Sequence, residues 1–340
     1  MATLSTGALT LADYAKRTNQ DGSVAAIIEL LTQRNQILTD MTFIEGNLPV
    51  GHQITQRTGL PTAYWRLTNQ GVATSKSTTA QVIEQCGMLE AWSEIDVDVA
   101  NLNGNTAAFR LSEATPFIEA MNQAMAQALF YGNSGINPEQ ITGLAPRYSS
   151  LSGGNATNLI SAGTVTGGDG TSIWLVGWSP NGVTGIFPKG SNAGIIHQNL
   201  GEVTVETTAG IGGTRMRAYQ DRFQWKTGIA LSDWRYVVRI CNIDTSALVA
   251  DTAGTTLKLI EYMSRAIDRL PSLMDCRPVF YMNRTVASIL RVQSLNKSNA
   301  ALSVQDGLKQ LGDTGHGNMA FLGIPVRICD QLLGNEATIS

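Results

Sequence analysis

His52, His197 and His316 are the only imidazoles in the chain. None has a His, Cys or carboxylate at metal-ligand spacing, so a tetrahedral zinc site is not indicated. Asp96-Val97-Asp98 with Asn101 and Asn103 resembles part of a calcium loop, but the glycine at its sixth position and the acid at its twelfth are missing. The alternation of Ile95, Val97 and Val99 with Asp96 and Asp98 reads better as a half-buried strand. The phosphate-cradling pattern G-x-x-x-x-G-K-[ST] is absent, and Gly167-Gly168-Asp169-Gly170 reads as a loop because no convincing strand leads into it. Gly132-Asn133-Ser134-Gly135 and Gly177-Trp178-Ser179-Pro180 are near misses to a nucleophile elbow, each lacking its second glycine.

Two clusters have weaker chemical potential. Trp174, Trp178, Trp225 and Trp234 share one strand-rich region and could stack on sugars, but aromatics in a sheet are more often core. Arg215, Arg217, Arg222, Arg235 and Arg239 lie in the same region, where a sparse set of cations reads as a solvated face or an interface. No catalytic constellation, cofactor site or metal site emerges, and the expectation is a non-enzyme.

The elements that would carry these residues form an α+β plan. Val24, Ile27, Ile28, Leu31 and Leu38 recur at helical spacing between Leu9 and Asp40, with Asp21 and Ser23 as caps. From Met41 to Leu102 the period is that of strands: Gln53-Ile54-Thr55, then Thr62-Ala63-Tyr64-Trp65-Arg66-Leu67, then a Ser/Thr-rich piece from Thr74 to Thr79. That stretch is too polar for a private core and reads as a projecting hairpin, which is marginal in water unless something holds it. Ile118, Met121, Met125, Ala128 and Leu129 give one face of a helix over Thr106 to Tyr131, stopped by Gly132-Asn133, with Pro116 either opening or kinking it.

Gly and Ser thicken from Ser149 to Gly170 at a crossing or boundary. Beyond it, Ile173 to Val176, Val203 to Val205, Tyr219 to Trp225 and Tyr236 to Ile240 favour strands, with a turn expected at Thr227-Gly228. Leu257 to Leu270 reads as a helix ended by Pro271, Val279 to Met282 as a strand and Arg284 to Leu295 as a helix. Phe321 to Ile328 reads as a closing strand with a Gly–Pro turn.

Bulk properties fit a packed protein with covered surfaces. Of 340 residues, 43% are hydrophobic and only 15% charged, and the net charge is −3. Sparse charge fits a surface covered by neighbours, and an acidic balance disfavours a dedicated nucleic-acid reader. Cys86, Cys241, Cys276 and Cys329 are scattered, which predicts reduced thiols. No signal peptide or membrane-length apolar run is evident, so synthesis in the cytoplasm is expected.

Several separate segments resemble the major capsid proteins of tailed, short-tailed-type bacteriophages. They are Leu11-Ala12-Asp13-Tyr14-Ala15-Lys16-Arg17, Glu45-Gly46-Asn47-Leu48-Pro49, Ser75 to Gln81, Gly87-Met88-Leu89-Glu90-Ala91-Trp92, Ala108 to Glu113, Phe130-Tyr131-Gly132-Asn133, Gly143 to Tyr148, and Gly185 to Gly190. The resemblance implies a Hong-Kong-97-like capsid fold. Its N-terminal arm would be 1–40, its extended loop and flanking strands 41–100, and its peripheral domain with the spine helix 101–150. Residues 151–255 would be mainly axial domain, and 256–340 the remaining elements and closing strand.

The function so implied is a shell subunit that forms pentamers and hexamers around double-stranded DNA in the virion after assembly in the host cytoplasm. Implied partners are further copies, a portal, scaffold or decoration proteins, and nonspecifically touched DNA, with no membrane and no cofactor. Ile27, Leu31, Tyr64, Trp65 and Lys76 are the candidate inter-subunit contacts. Some members of this group crosslink a loop lysine to a neighbour's Asn with a Glu assisting. Lys76 is the only lysine between Lys16 and Lys189, but the resemblance fixes no partner, and Lys76 reads rather as half of an inter-subunit ion pair. The competing readings are a carbohydrate-active enzyme using the Trp-bearing sheet and an encapsulin-like compartment shell.

Overall fold

A computed structural model describes residues 31–102, 104–206, 215–251, 257–295 and 319–340. Its elements run α1 (Ile37–Asp40), β1 (Phe43–Glu45), β2 (Gly51–Gly59), β3 (Thr78–Gln85), β4 (Gly87–Asp96), α2 (Val97–Asn101) and α3 (Thr106–Tyr131). They continue as β5 (Leu159–Ser161), β6 (Gly170–Trp178), β7 (Val183–Phe187), β8 (Ile195–Glu206), β9 (Arg215–Leu231) and β10 (Val237–Asp244). The last are α4 (Thr245–Ala250), α5 (Leu259–Ile267), β11 (Arg277–Met282), α6 (Arg284–Leu295), β12 (Ala320–Phe321) and β13 (Ile324–Ile328).

The centre is β6, buried at all nine positions. Successive side chains on a strand point to opposite faces, so a strand covered on both faces reads as a continuous apolar run. Trp174, Val176 and Trp178 enter a core with α3, while Ile173 and Leu175 enter a second core with α5 and α6. β10 and β11 flank β6 antiparallel and divide their residues in the same way.

The main sheet continues through β7 to β9, which pairs with β7 from Gly228 to Leu231 and with β4 and β8 along the rest of its length. The turn expected at Thr227-Gly228 is therefore not formed: β9 runs straight through. Gly228 is required there because a Cβ would stand 2.6 Å from the Gln85 carbonyl oxygen, where the hairpin strand β3 ends.

The long helix has the span read from its periodicity. Met121, Met125 and Leu129, four residues apart on one face, are buried, and Pro116 sits inside an unbroken helix at an exposed position. Gly132 stops it: its N–H bonds Ala128, and a Cβ would lie 2.5 Å from both the Ala128 and Ile141 carbonyl oxygens.

Three other expectations fail. Thr62 to Leu67 is not a strand, because the hairpin pairs only Gly51–Gly59 with Thr78–Gln85. The run through Ile95, Val97 and Val99 is not one strand either. β4 ends at Asp96, whose carboxylate accepts the Asp98 N–H at 2.8 Å and caps α2. Both acids of the calcium-like pattern thus belong to a helix start. Of the helix expected between Leu9 and Asp40, residues 1–30 lie outside the described residues. In the rest only α1 is helical, and Asn35 instead bridges to Cys329.

Candidate assembly surface

The hairpin β2–β3 is held at its base and nowhere else along its length. Glu84 is the one buried residue of β3. Arg147 reaches it with two guanidinium hydrogen bonds of 2.5 and 2.6 Å, a bidentate geometry. On the other strand the Gln56 amide donates to the carbonyl oxygens of Leu231 and Ser232, and Asn47 brackets Gln53 through two bonds.

Past these anchors the chain is exposed from Leu60 to Ile83 without interruption. Leu60, Tyr64, Trp65, Leu67 and Val72 all face solvent, Trp65 completely. The tip's internal ties among the described residues are few: Gln70 N–H to Leu67 O, Arg66 Nε to Gln70 O, and Ser75 Oγ to Thr62 O. An apolar cluster of this kind on a polar ribbon marks a surface that something covers.

The tip is also cationic. Residues 60–77 carry Arg66 and Lys76 and no acid. Neither forms an ion pair among the described residues, whereas Arg110, Arg147, Arg215, Arg217, Arg222, Arg235, Arg239, Arg277 and Arg284 on the body all do.

The arm leaves the body beside the spine helix. The Gln33 N–H donates to Glu119, and Gln123 donates to the Leu31 carbonyl. Leu31 itself is 81% exposed. Further in, the buried Asp40 accepts from Arg277 at 2.8 Å and from the Tyr281 hydroxyl at 3.2 Å, locking the root of the arm to β11. Burial, and then the Asp40 charge, push the Tyr281 hydroxyl well above its ordinary range, so it stays a donor.

Of the residues singled out in the sequence, the hairpin tip gathers Tyr64, Trp65 and Lys76. Leu31 stands apart at the end of the arm, and Ile27 lies outside the described residues. The sequence reading missed Glu84 and Arg147, the base clamp, for they are 63 positions apart and follow no motif. It also missed Leu60, Leu67 and Val72, which an excess of apolar residues in a polar ribbon would have signalled.

The other clusters resolve differently. Trp174, Trp178 and Trp225 are buried and Trp234 half-buried, so the Trp-bearing sheet offers no stacking platform of the kind an enzyme on carbohydrate would use. Four of the five arginines there pair on the surface. Arg239 does not fit the solvated-face reading: it is buried and bonds Glu336 at 2.9 Å, Ser172 and the Tyr148 carbonyl, with Trp174 beneath its guanidinium. All four cysteines are free thiols. Burial raises Cys241 to about 11 and Cys329 to about 12. Among the described residues no group of His, Cys, Asp and Glu could hold a metal, and no helix is long and apolar enough to cross a membrane.

A long spine helix on a two-faced sheet, with a base-anchored hairpin and an arm, defines the Hong-Kong-97-like phage capsid fold. A chain in the solved structure of bacteriophage Epsilon15 is 30% identical with a TM-score of 0.79, over 100% of this chain and 99% of that one. The bacteriophage JBD30 capsid is similar more loosely, at 10% identity and a TM-score of 0.43 over 80% of this chain and 84% of that one. An encapsulin complex from Synechococcus elongatus PCC 7942 gives 11% and 0.45 over 69% and 97%. No curated protein matches. The family model for major capsid protein GP7 matches residues 19–340, and the chain belongs to that family. It is a major capsid protein, a component of a tailed-phage virion whose shell is built from many copies of it.

Proposed function

We propose that the chain assembles through pentamers and hexamers into an icosahedral shell around double-stranded DNA, with its hairpin tip and arm laid on neighbouring copies. The observation that carries this reading is the hairpin itself. Its base is clamped by Glu84 and Arg147 while Trp65 stands fully in solvent. A fully buried aromatic side chain gains about 1.5–3 kcal/mol over an exposed one, so a neighbour that covers Trp65 stabilises both copies.

On this reading residues 1–40 are the arm, 41–100 the extended loop and 101–150 the peripheral domain. Residues 151–255 are mainly axial, and 256–340 return to complete both. Tyr64, Trp65, Lys76, Leu31 and Ile27 are inter-subunit contacts, and a portal, a scaffold and decoration proteins are partners met in the host cytoplasm. The net charge of −3 supports a container that touches DNA weakly and nonspecifically, because few cations are available to release counterions. The chain's work is mechanical rather than catalytic: hinge and loop poses adjust between five- and six-fold rings.

Negative-stain electron microscopy with sedimentation velocity on the purified chain, with scaffold added, tests this. Hollow particles or discrete rings of five and six are the expected result. A chain that stays monomeric with scaffold present, its hairpin resistant to protease, overturns it.

A further inference from the structure

The body carries a groove whose chemistry is the complement of the hairpin tip. It lies where the end of α3, the loop 133–143 and the start of β4 meet, and has a volume of about 360 Å³. Its floor is apolar, from Met88, Leu89, Ala128 and Ile141, and Gln127 and Gln140 offer hydrogen bonds at its sides. Gly87 forms part of the wall because a Cβ there would stand 2.8 Å from Ile141 Cγ2. Glu139 stands exposed at the rim and forms no ion pair among the described residues. No cation lines this groove, whereas the other two grooves of the described residues hold Arg110 and Arg277. An aromatic side chain beside a positive charge fits the first and is repelled from the others.

The tip supplies that pair in Trp65 and Arg66. It cannot reach the groove of its own chain. The groove wall begins at Gly87, two residues after β3 ends at Gln85, and the tip lies beyond the far end of β3. Eight residues of strand separate them by about 27 Å, and the Glu84–Arg147 clamp fixes the direction of the hairpin.

We propose that this groove receives the hairpin tip of a second copy, with Trp65 on the apolar floor and Arg66 paired to Glu139. This deepens the shell reading and rests on it. The contact is head-to-tail, since projecting tip and receiving groove are different surfaces, and head-to-tail contacts that close by rotation make rings. Each chain then both gives a tip and receives one. Gln127 and Gln140 serve the tip's backbone, which makes a single internal backbone hydrogen bond among the described residues.

Mixed assembly tests the contact. Chains carrying Leu67→Cys and chains carrying Gln140→Cys leave Trp65, Arg66 and Glu139 in place. They are assembled separately and together, then treated with a short bis-maleimide. The expected result is a crosslinked dimer in the mixture well above either variant alone, and a ladder up to closed rings when one chain carries both changes. In parallel, Arg66→Glu and Glu139→Arg are each expected to raise the concentration at which shells appear by about tenfold, and their combination to restore much of the loss. Shells that form normally yet give no crosslink, with a double variant no better than the worse single one, overturn the groove while leaving the shell reading intact. Wild-type chains that form no shells under the same conditions strike the shell reading itself.

Discussion

The β6–β10 pair and the β2–β3 hairpin are both antiparallel ribbons, yet they are stabilised in opposite ways. Each position of β6 and β10 is buried, and their side chains feed two cores inside one chain. In β3 one residue of eight is buried, and it is a glutamate. The pairing is regular in both, so backbone hydrogen bonding does not distinguish them; what differs is which molecule supplies the covering surface. The central strands are complete within the subunit. The hairpin is a structured edge awaiting a neighbour, kept in shape by one bidentate ion pair at its root.

That contrast predicts a graded set of effects. The largest belongs to Arg239, buried against Glu336 with side-chain exposures of 5% and 6%. Arg239→Ala leaves a buried carboxylate uncompensated and is expected to cost about 3–5 kcal/mol, read as a lowered midpoint in denaturant unfolding. A loss as small as that of an exposed residue would mean that the central sheet does not depend on this network.

Arg147→Ala comes next. It removes the clamp on Glu84 and is expected to cost about 1–3 kcal/mol. Limited proteolysis within residues 60–77 should accelerate much more than cleavage of the body. Uniform acceleration would show the hairpin and body to unfold as one unit.

A smaller effect concerns acid. A hydrogen bond from Arg222 holds the exposed Glu90 carboxyl down at about 2, from an ordinary 4.5. Because the folded value lies below the unfolded one, this contribution is full above pH 4.5 and is lost as pH falls through about 2. Glu90→Gln should flatten that part of the stability profile and leave neutral pH nearly unchanged.

The smallest change in subunit stability is expected for Trp65→Ala, below about 0.5 kcal/mol, together with a clear loss of shell formation in sedimentation. A destabilised subunit would place Trp65 within its own chain's packing and erase the contrast.

The central region was the more legible of the two in the sequence. The apolar run of β6, the four-residue repeat of Met121, Met125 and Leu129, and the stop at Gly132 each state a local rule, and each element formed as read. The extent of the hairpin was legible too, from polarity and turn residues. Its strand boundaries were not, since Thr62 to Leu67 has strand propensity but no partner to pair with. Asp96 misled because alternation and helix capping use the same residues, and only the chain's direction after Asp96 separates them.

By itself the sequence determined the class of the protein and the order of its elements, because periodicity, turn residues and family segments are local in the chain. Only the tertiary structure decided that Arg239 is buried, that Arg147 and Glu84 clamp the hairpin, that β9 passes unbroken through Gly228, and that a groove opens beside Glu139. These depend on residues dozens to about a hundred positions apart meeting in space. Desolvation, ion pairing and close backbone approach are set by such meetings, and no local pattern encodes them.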